Sequence, residues 1–355
     1  MSVAADENIG TVPVRAGYDF DEGALARWME ARIEGFSGSL TVEQFKGGQS
    51  NPTYKLTTPG RSYVLRRKPP GQLLRGAHAI EREAQVLQAL AAVSFPVARL
   101  RGLCTDDSVI GTWFYVMDMV EGRIFWDATV PRVPRAERGQ IFDAMNETLA
   151  TLHQIDPAAV GLDGFGRPGN YFQRQIDRWS RQYLADVDAG RDANMDRLIE
   201  WLRANMPADD GASRLIHGDY RIDNIIFDAE KPRILAVLDW ELSTVGHPLA
   251  DFAYHLMMYR MPPKIVAGLH GSDIRRLGIP TEEEYVGAYC RRTGREGVPD
   301  LDFYIAFNFF RLAAIFHGIK GRVLRGTAAS AQARARVAVL PELMALAWSQ
   351  TRSSR

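Results

Sequence analysis

Residues 216–224 read Ile216-His217-Gly218-Asp219-Tyr220-Arg221-Ile222-Asp223-Asn224, and the apolar run Ile225-Ile226-Phe227 follows directly. Asp219 and Asn224 are five residues apart on a loop that opens a strand. Asp239 closes the next strand-like run, in Leu238-Asp239-Trp240-Glu241. The turn Asp228-Ala229-Glu230-Lys231-Pro232 separates the two runs, so they are expected to pair as a hairpin. Asp219, Asn224 and Asp239 then crowd together at one end of it. Three oxygen-bearing side chains at one point suit a hard cation such as Mg²⁺ and leave a carboxylate available as a base. Any one of them alone would read as an ordinary turn or cap residue; the joint spacing carries the argument.

Outward from this cluster the chain changes character. Residues 1–20 read as a loose arm and 24–34 as an amphipathic helix. Three strand-like segments follow: Ser39–Phe45, Thr53–Thr58 and Ser62–Lys68. The first two are separated by Lys46-Gly47-Gly48-Gln49-Ser50-Asn51-Pro52, the next two by Pro59-Gly60-Arg61, a turn signal. A helix is expected over 77–92 and a strand over about 108–120. From about residue 135 the chain reads as helical, except for 214–241. The expected fold class is α+β and bilobal, with a β-rich N-terminal lobe (1–118) holding one main helix and a mostly helical C-terminal lobe (119–355).

The composition is that of a globular protein: 355 residues, 46% hydrophobic and 24% charged. Lys and Arg total 43 and so do Asp and Glu, so net charge offers no drive toward nucleic acid or an anionic membrane. Cys104 and Cys290 are too few for a disulfide framework and read as buried thiols. The first ten residues lack a basic segment followed by an apolar one, and no apolar run nears the roughly 20 residues of a membrane span. A cytoplasmic location and no membrane span are the expectation.

The segment His217-Gly218-Asp219 through Asn224, followed by Leu238-Asp239-Trp240-Glu241, resembles the catalytic signature of the aminoglycoside phosphotransferase and choline kinase family, small-molecule kinases with a protein-kinase-like fold. The resemblance covers roughly residues 25–350. Gly47–Tyr54, Val64–Gly71, His78–Glu83, Leu238–Asp251 and Phe307–Ile315 narrow it to the branch that includes the kinase-like region fused to some acyl-CoA dehydrogenases. The resemblance implies ATP and Mg²⁺ as cofactors, and a nucleotide and a small hydroxyl acceptor as binding partners. The γ-phosphoryl group would pass to that hydroxyl, which requires positioning and charge neutralisation more than covalent chemistry.

Each part then has a candidate. Asp219 accepts or orients the acceptor's proton. Asn224 and Asp239 hold Mg²⁺, and Glu241 reaches a metal directly or through water. Gly47, Gly48 and Ser50 form the turn whose amides and hydroxyl approach phosphate. Protein kinases place a Lys on the following strand; here Arg66 aligns there, and Lys68, two residues on and on the same side, competes for the role. On the 77–92 helix the stripe Ile80, Ala84, Leu87 and Ala91 places Glu83 about 60° from its centre and Glu81 about 100° away, which makes Glu83 the better partner for Arg66. The hinge between lobes is expected at 117–120, with the backbone of Met117 and Met119 meeting adenine. His217 and Asp251 read as supports of the catalytic loop, and Arg221 and Asp223 as candidates to face the acceptor.

Two other classes compete. In a metal-dependent hydrolase, His217, Asp219, Asp239, His247, Asp251 and His255 would serve as ligands; that leaves the glycine turn and the Arg66/Glu83 pair without a purpose. A catalytically silent kinase-like binding module has no need of Asp219, Asn224 and Asp239. For the acceptor, segment 301–325 mixes Asp302, Arg311, His317, Lys320, Arg322 and Arg325 with aromatic residues such as Phe303, Tyr304, Phe307 and Phe310. It is not acidic, which favours a hydroxyacyl or acyl-CoA-like compound over a polycationic aminoglycoside or an amino alcohol.

Overall fold

The computed structural model describes residues 10–46, 51–69, 78–167, 169–328 and 330–352. The candidate phosphate-loop residues Gly47, Gly48 and Ser50 lie outside that set. The chain divides into two compact units. The first comprises Met1–Trp126, Ala158–Leu162 and Asp223–Ser243; the second comprises Asp127–Pro157, Asp163–Ile222 and Thr244–Arg355.

The first unit is built on an antiparallel six-stranded sheet in the order β1-β2-β3-β4-β6-β5. Its strands are β1 (Thr11–Val12), β2 (Thr41–Phe45), β3 (Thr53–Thr57), β4 (Ser62–Arg67), β5 (Leu100–Cys104) and β6 (Phe114–Asp118). Strand alternation sorts its residues. Tyr54 and Leu56, Tyr63 and Leu65, Phe114 and Val116 join Leu25, Met29 and Ile33 of helix Glu22–Arg32 in one buried cluster. Fully burying a side chain such as Leu65 stabilises by about 1.5–3 kcal/mol. The alternate positions Val64 and Arg66 belong to the opposite face. Arg67 is on the packed face and is also buried; it donates to Tyr18 O at 3.2 Å, and its guanidinium lies 5.1 Å from the Phe20 ring centre.

In this sheet the sequence reading misses two strands, β1 in the expected arm and β5, and overextends another. Residues 107–110 form a single helical turn capped by Asp106 and ended by Gly111 at φ 82, so the strand expected from 108 starts only at Phe114. The pairing edge is instead β5, whose Leu-Arg-Gly-Leu-Cys has no alternation and carries an irregularity between Leu100 and Gly102.

Strands β8 (Ile225–Phe227) and β9 (Ile234–Val237) form the expected hairpin, with Ile225 opposite Val237. It was assigned from sequence to the helical lobe, but it groups with the first unit. The reason is local. Val237 N–H donates to Pro96 O at 2.8 Å, and Trp240 meets Phe95 edge to face. Arg123 Nε donates to Asp228 O at 2.8 Å, and Phe125 packs on Phe227.

The second unit is helical around Pro248–Arg260, where every residue from Pro248 to Tyr259 is buried. A helix buried all round is a core helix, and the stripe Leu249, Phe252, Ala253 and Leu256 is only part of its packed surface. Helix Leu301–Leu324 packs along it, with Asn308 Nδ2 donating to Ala250 O at 2.8 Å. A short antiparallel pair, β7 (Arg214–Ile216) with β10 (Thr244–Gly246), leads into the loop that carries Asp219. Among the described residues no helix is long and apolar enough to cross a membrane.

Candidate active site

In the first unit, Arg66 is the centre of a carboxylate cluster. Its Nε lies 3.1 Å from Glu83 Oε2, and its terminal nitrogen lies 2.7 Å from Asp239 Oδ1 and 3.1 Å from Glu241 Oε2. Three distant stretches of sequence thus meet on one guanidinium: strand β4, helix Ile80–Ala92 and the turn after β9. Burial by itself would weaken the cation; Asp239 and then Glu83 outweigh it and hold Arg66 above the usual guanidinium range. Glu83 is 2% exposed. Burial holds its carboxyl above the usual range, and Arg66 offsets only part of that rise. Tyr115 OH donates to its Oε2 and Asn51 Nδ2 to its Oε1, both at 3.0 Å, so each oxygen of this buried acid has a donor.

Lys68 does not join the cluster. Its Nζ lies 3.0 Å from Glu81 Oε2 and 4.0 Å from the centre of the Trp113 ring. Arg66 therefore pairs with Glu83, as helical periodicity led one to expect, and Lys68 pairs with Glu81. Tyr115 and Asn51 went unnoticed in the sequence. Tyr115 stands directly opposite Arg66 in the β4–β6 register, a relation no local pattern reveals. Asn51 carried a weak signal as the polar residue ending the glycine turn.

Asp239 adopts a left-handed conformation, φ 64 and ψ 59, at the start of the Trp240–Leu242 turn. For a residue with a Cβ this costs about 1 kcal/mol, and it aims the side chain at Arg66 beside Glu241. Both carboxylates are partly exposed, 33% and 26%. Asn224 sits at the same end of the hairpin, where its carbonyl accepts from Leu238 N–H at 2.8 Å. Two carboxylates and an amide are a hard oxygen set that fits Mg²⁺. Among the described residues no group of three or more His, Cys, Asp or Glu could hold a metal ion.

At the expected hinge, Met117 is opposite Val64, and Met119 N–H donates to Ser62 O at 3.3 Å; both side chains are half-buried. Asp118 between them is held by Arg101 through two bonds of 2.7 Å.

In the second unit, the loop after β7 is fixed from behind. Asp251 Oδ2 accepts from His217 N–H at 2.7 Å and its Oδ1 from Gly218 N–H at 2.8 Å. His153 Nε2 lies 3.2 Å from the same carboxylate. Burial would raise the Asp251 carboxyl; the bond with His153 and the neighbouring histidines outweigh it and hold it below the usual range. His217 Nδ1 accepts from Asp219 N–H at 3.1 Å. Arg311 donates to Gly218 O at 2.6 Å. Asp219 itself accepts a hydrogen bond from Tyr254 OH and lies 3.5 Å from Arg221 Nε. Arg311 and Tyr254 were not foreseen as parts of this loop's support.

Asp251→Ala leaves two buried amides without an acceptor, at about 1–3 kcal/mol each. The unfolding midpoint should fall by several degrees in a thermal melt; a midpoint within a degree of the parent would contradict this account of the loop.

The histidines weighed as metal ligands are otherwise engaged. His255 bonds Tyr220 O and Tyr285 OH at 3.2 and 2.7 Å, and burial drives its pKa down to about 4. His247 caps its helix through Leu249 N–H and meets Asp210 at 3.1 Å.

A model of the phosphotransferase enzyme family matches residues 41–304, well over half of the chain. The chain belongs to the phosphotransferase enzyme family. A member from Ralstonia eutropha, provisionally assigned as an aminoglycoside phosphotransferase, has a crystal structure that matches this one at TM-score 0.87 with 47% identity, covering 95% of this chain and all of the other. A thermostable mutant of aminoglycoside phosphotransferase APH(4)-Ia, in ternary complex with AMP-PNP and hygromycin B, matches at TM-score 0.61 with 16% identity over 93% and 99% of the two chains. That match speaks for the fold alone. Acyl-CoA dehydrogenase family member 11 of Gallus gallus is 46% identical over 90% of this chain, which spans 42% of that protein. The chain thus spans less than half the length of the curated relatives it matches. Family, branch and α+β kinase-like fold agree with the resemblance drawn from the sequence.

Proposed function

We propose that this phosphotransferase is an ATP-dependent small-molecule kinase that transfers the γ-phosphoryl group to an acceptor hydroxyl. The observation that carries the reading is the Arg66 cluster: a buried guanidinium shared by Glu83, Asp239 and Glu241. A cation held rigidly by an internal acid, and sharing two more exposed ones, is suited to exchange partners with a phosphate. Residues 1–118 are assigned the nucleotide and 119–355 the acceptor, with the hairpin that carries Asn224 and Asp239 attached to the first unit. Arg66 clamps the α or β phosphate, Glu83 holds Arg66, and the Gly47, Gly48 and Ser50 segment approaches phosphate from its amides. The backbone at Met117 and Met119 meets adenine. Asn224, Asp239 and Glu241 hold Mg²⁺, which supplies positive charge to the triphosphate. Asp219 orients the acceptor hydroxyl and takes its proton.

We propose a hydroxyacyl or acyl-CoA-like acceptor, but segment 301–325 does not support this as the sequence suggested. Phe303, Tyr304, Phe307 and Phe310 are core residues. Arg311, His317 and Lys320 bond backbone carbonyls, and Arg325 pairs with Asp186 and Asp188. What supports it is the branch: the chain is 46% identical over 90% of its length to acyl-CoA dehydrogenase family member 11 of Gallus gallus.

Mg²⁺ with AMP-PNP should raise the unfolding midpoint of the wild type, and Asp239→Asn should lose about tenfold or more in nucleotide affinity. Equal stabilisation of both proteins would remove Asp239 from the metal set. No stabilisation of either would count against the kinase reading and favour a nucleotide-independent protein.

A further inference from the structure

We propose that Tyr254 is a positioning residue for the phosphoryl transfer, fixing the carboxylate of Asp219 by a hydrogen bond from its phenol. The inference rests on Asp219 acting on the acceptor hydroxyl. It begins with helix Pro248–Arg260. Asp251 in its first turn grips the backbone of the loop at His217 and Gly218. Three residues later, on the same helix face, Tyr254 reaches the Asp219 side chain. One helix, buried from Pro248 to Tyr259, therefore sets both the path of the loop and the direction of its acid.

The phenol is built for donation. Burial raises its pKa, and the charge of Asp219 raises it further, so it keeps its proton over the whole working range. The ring is 7% exposed and is itself held: the Arg311 guanidinium lies 5.2 Å from its centre while donating to Gly218 O. Arg311 thus ties helix Leu301–Leu324 to the tyrosine and to the loop together. Other charge reaches Asp219 from Arg221 on its own loop and from Arg336 on helix Ala331–Ser349. Both are more exposed cations on long stems, whereas Tyr254 has two side-chain torsions and a packed ring. It is the group able to hold the carboxylate in one rotamer, and reaction geometry off by about 1 Å can cost about 100-fold in rate.

Tyr254→Phe keeps the ring and removes only the hydroxyl. The expected result is a fall in kcat of about 10–100-fold, the worth of a hydrogen bond to a charged group, with the KM for ATP unchanged. Turnover is read as Mg²⁺-dependent ATP consumption, with water as acceptor where no organic one is in hand. The double variant with Asp219→Asn should be no slower than Asp219→Asn alone, because Tyr254 acts only through that carboxylate. Unchanged kcat, a proportional rise in the KM for ATP, or additive losses would each overturn the inference while leaving Asp219 in place. Wild-type turnover in Asp219→Asn would instead remove the reading beneath it. Where turnover is too slow to compare, the crystal structure of Tyr254→Phe decides: a reoriented Asp219 carboxylate supports the assignment, and an unmoved one overturns it.

Discussion

Asp219→Asn is expected to lower turnover about 10²–10⁴-fold, the usual worth of a positioned general base or hydroxyl-orienting acid, while Mg²⁺·AMP-PNP still raises the melting temperature as it does in the wild type. The substitution is isosteric and keeps an acceptor oxygen for Tyr254, so the loop held by Asp251 and Arg311 is not disturbed. What it removes is the charge. An amide does not take a proton from a hydroxyl, and binding contacts elsewhere are unaffected. A variant that turns over its acceptor at the wild-type rate would show that Asp219 has another role.

Arg66→Ala should lose about 100-fold in kcat/KM, with the KM for ATP raised and kcat reduced together, because the guanidinium positions the nucleotide as well as binding it. Arg66→Lys should recover only part of the loss. A point charge cannot reproduce the fork by which one guanidinium meets Glu83 through Nε and Asp239 through a terminal nitrogen. Removing the cation also strands Glu83 in the core, at a cost of about 3–5 kcal/mol. The lysine variant, which keeps a charge there, therefore separates lost function from lost folding. Lys68→Ala is the control and should matter little, since Lys68 is paired with Glu81. If Lys68→Ala were the crippling change and Arg66→Ala mild, the clamp would belong to Lys68.

These expectations show which features of the chain were legible. The His217–Asn224 segment was legible because its spacing is local, and so was the polar end of the hairpin. Glu83 was legible because helical periodicity places it near an apolar stripe, and a carboxylate there needs a cation. Tyr115 was not, because its place opposite Arg66 depends on the pairing of β4 with β6, which skips β5 in sequence. Tyr254 reads in sequence as another apolar residue of a core helix; only the fold brings its hydroxyl to Asp219. Strand β5 was invisible because its residues do not alternate and it lies at the sheet edge. The cations of 301–325 misled for a related reason. Composition reports a charge but not its partner, and here most of those partners are backbone carbonyls and nearby acids within the fold.

The most direct test of the central claim is product formation. Wild-type protein with Mg²⁺ and ATP would be offered hydroxyacyl thioesters, aminoglycosides and amino alcohols in parallel, with ADP and phosphorylated acceptor both measured by mass spectrometry. The account predicts Mg²⁺-dependent, one-to-one formation of ADP and an O-phosphorylated hydroxyacyl compound, abolished in Asp219→Asn. Nucleotide binding without transfer to any of the three classes, or transfer that survives in Asp219→Asn, would contradict it.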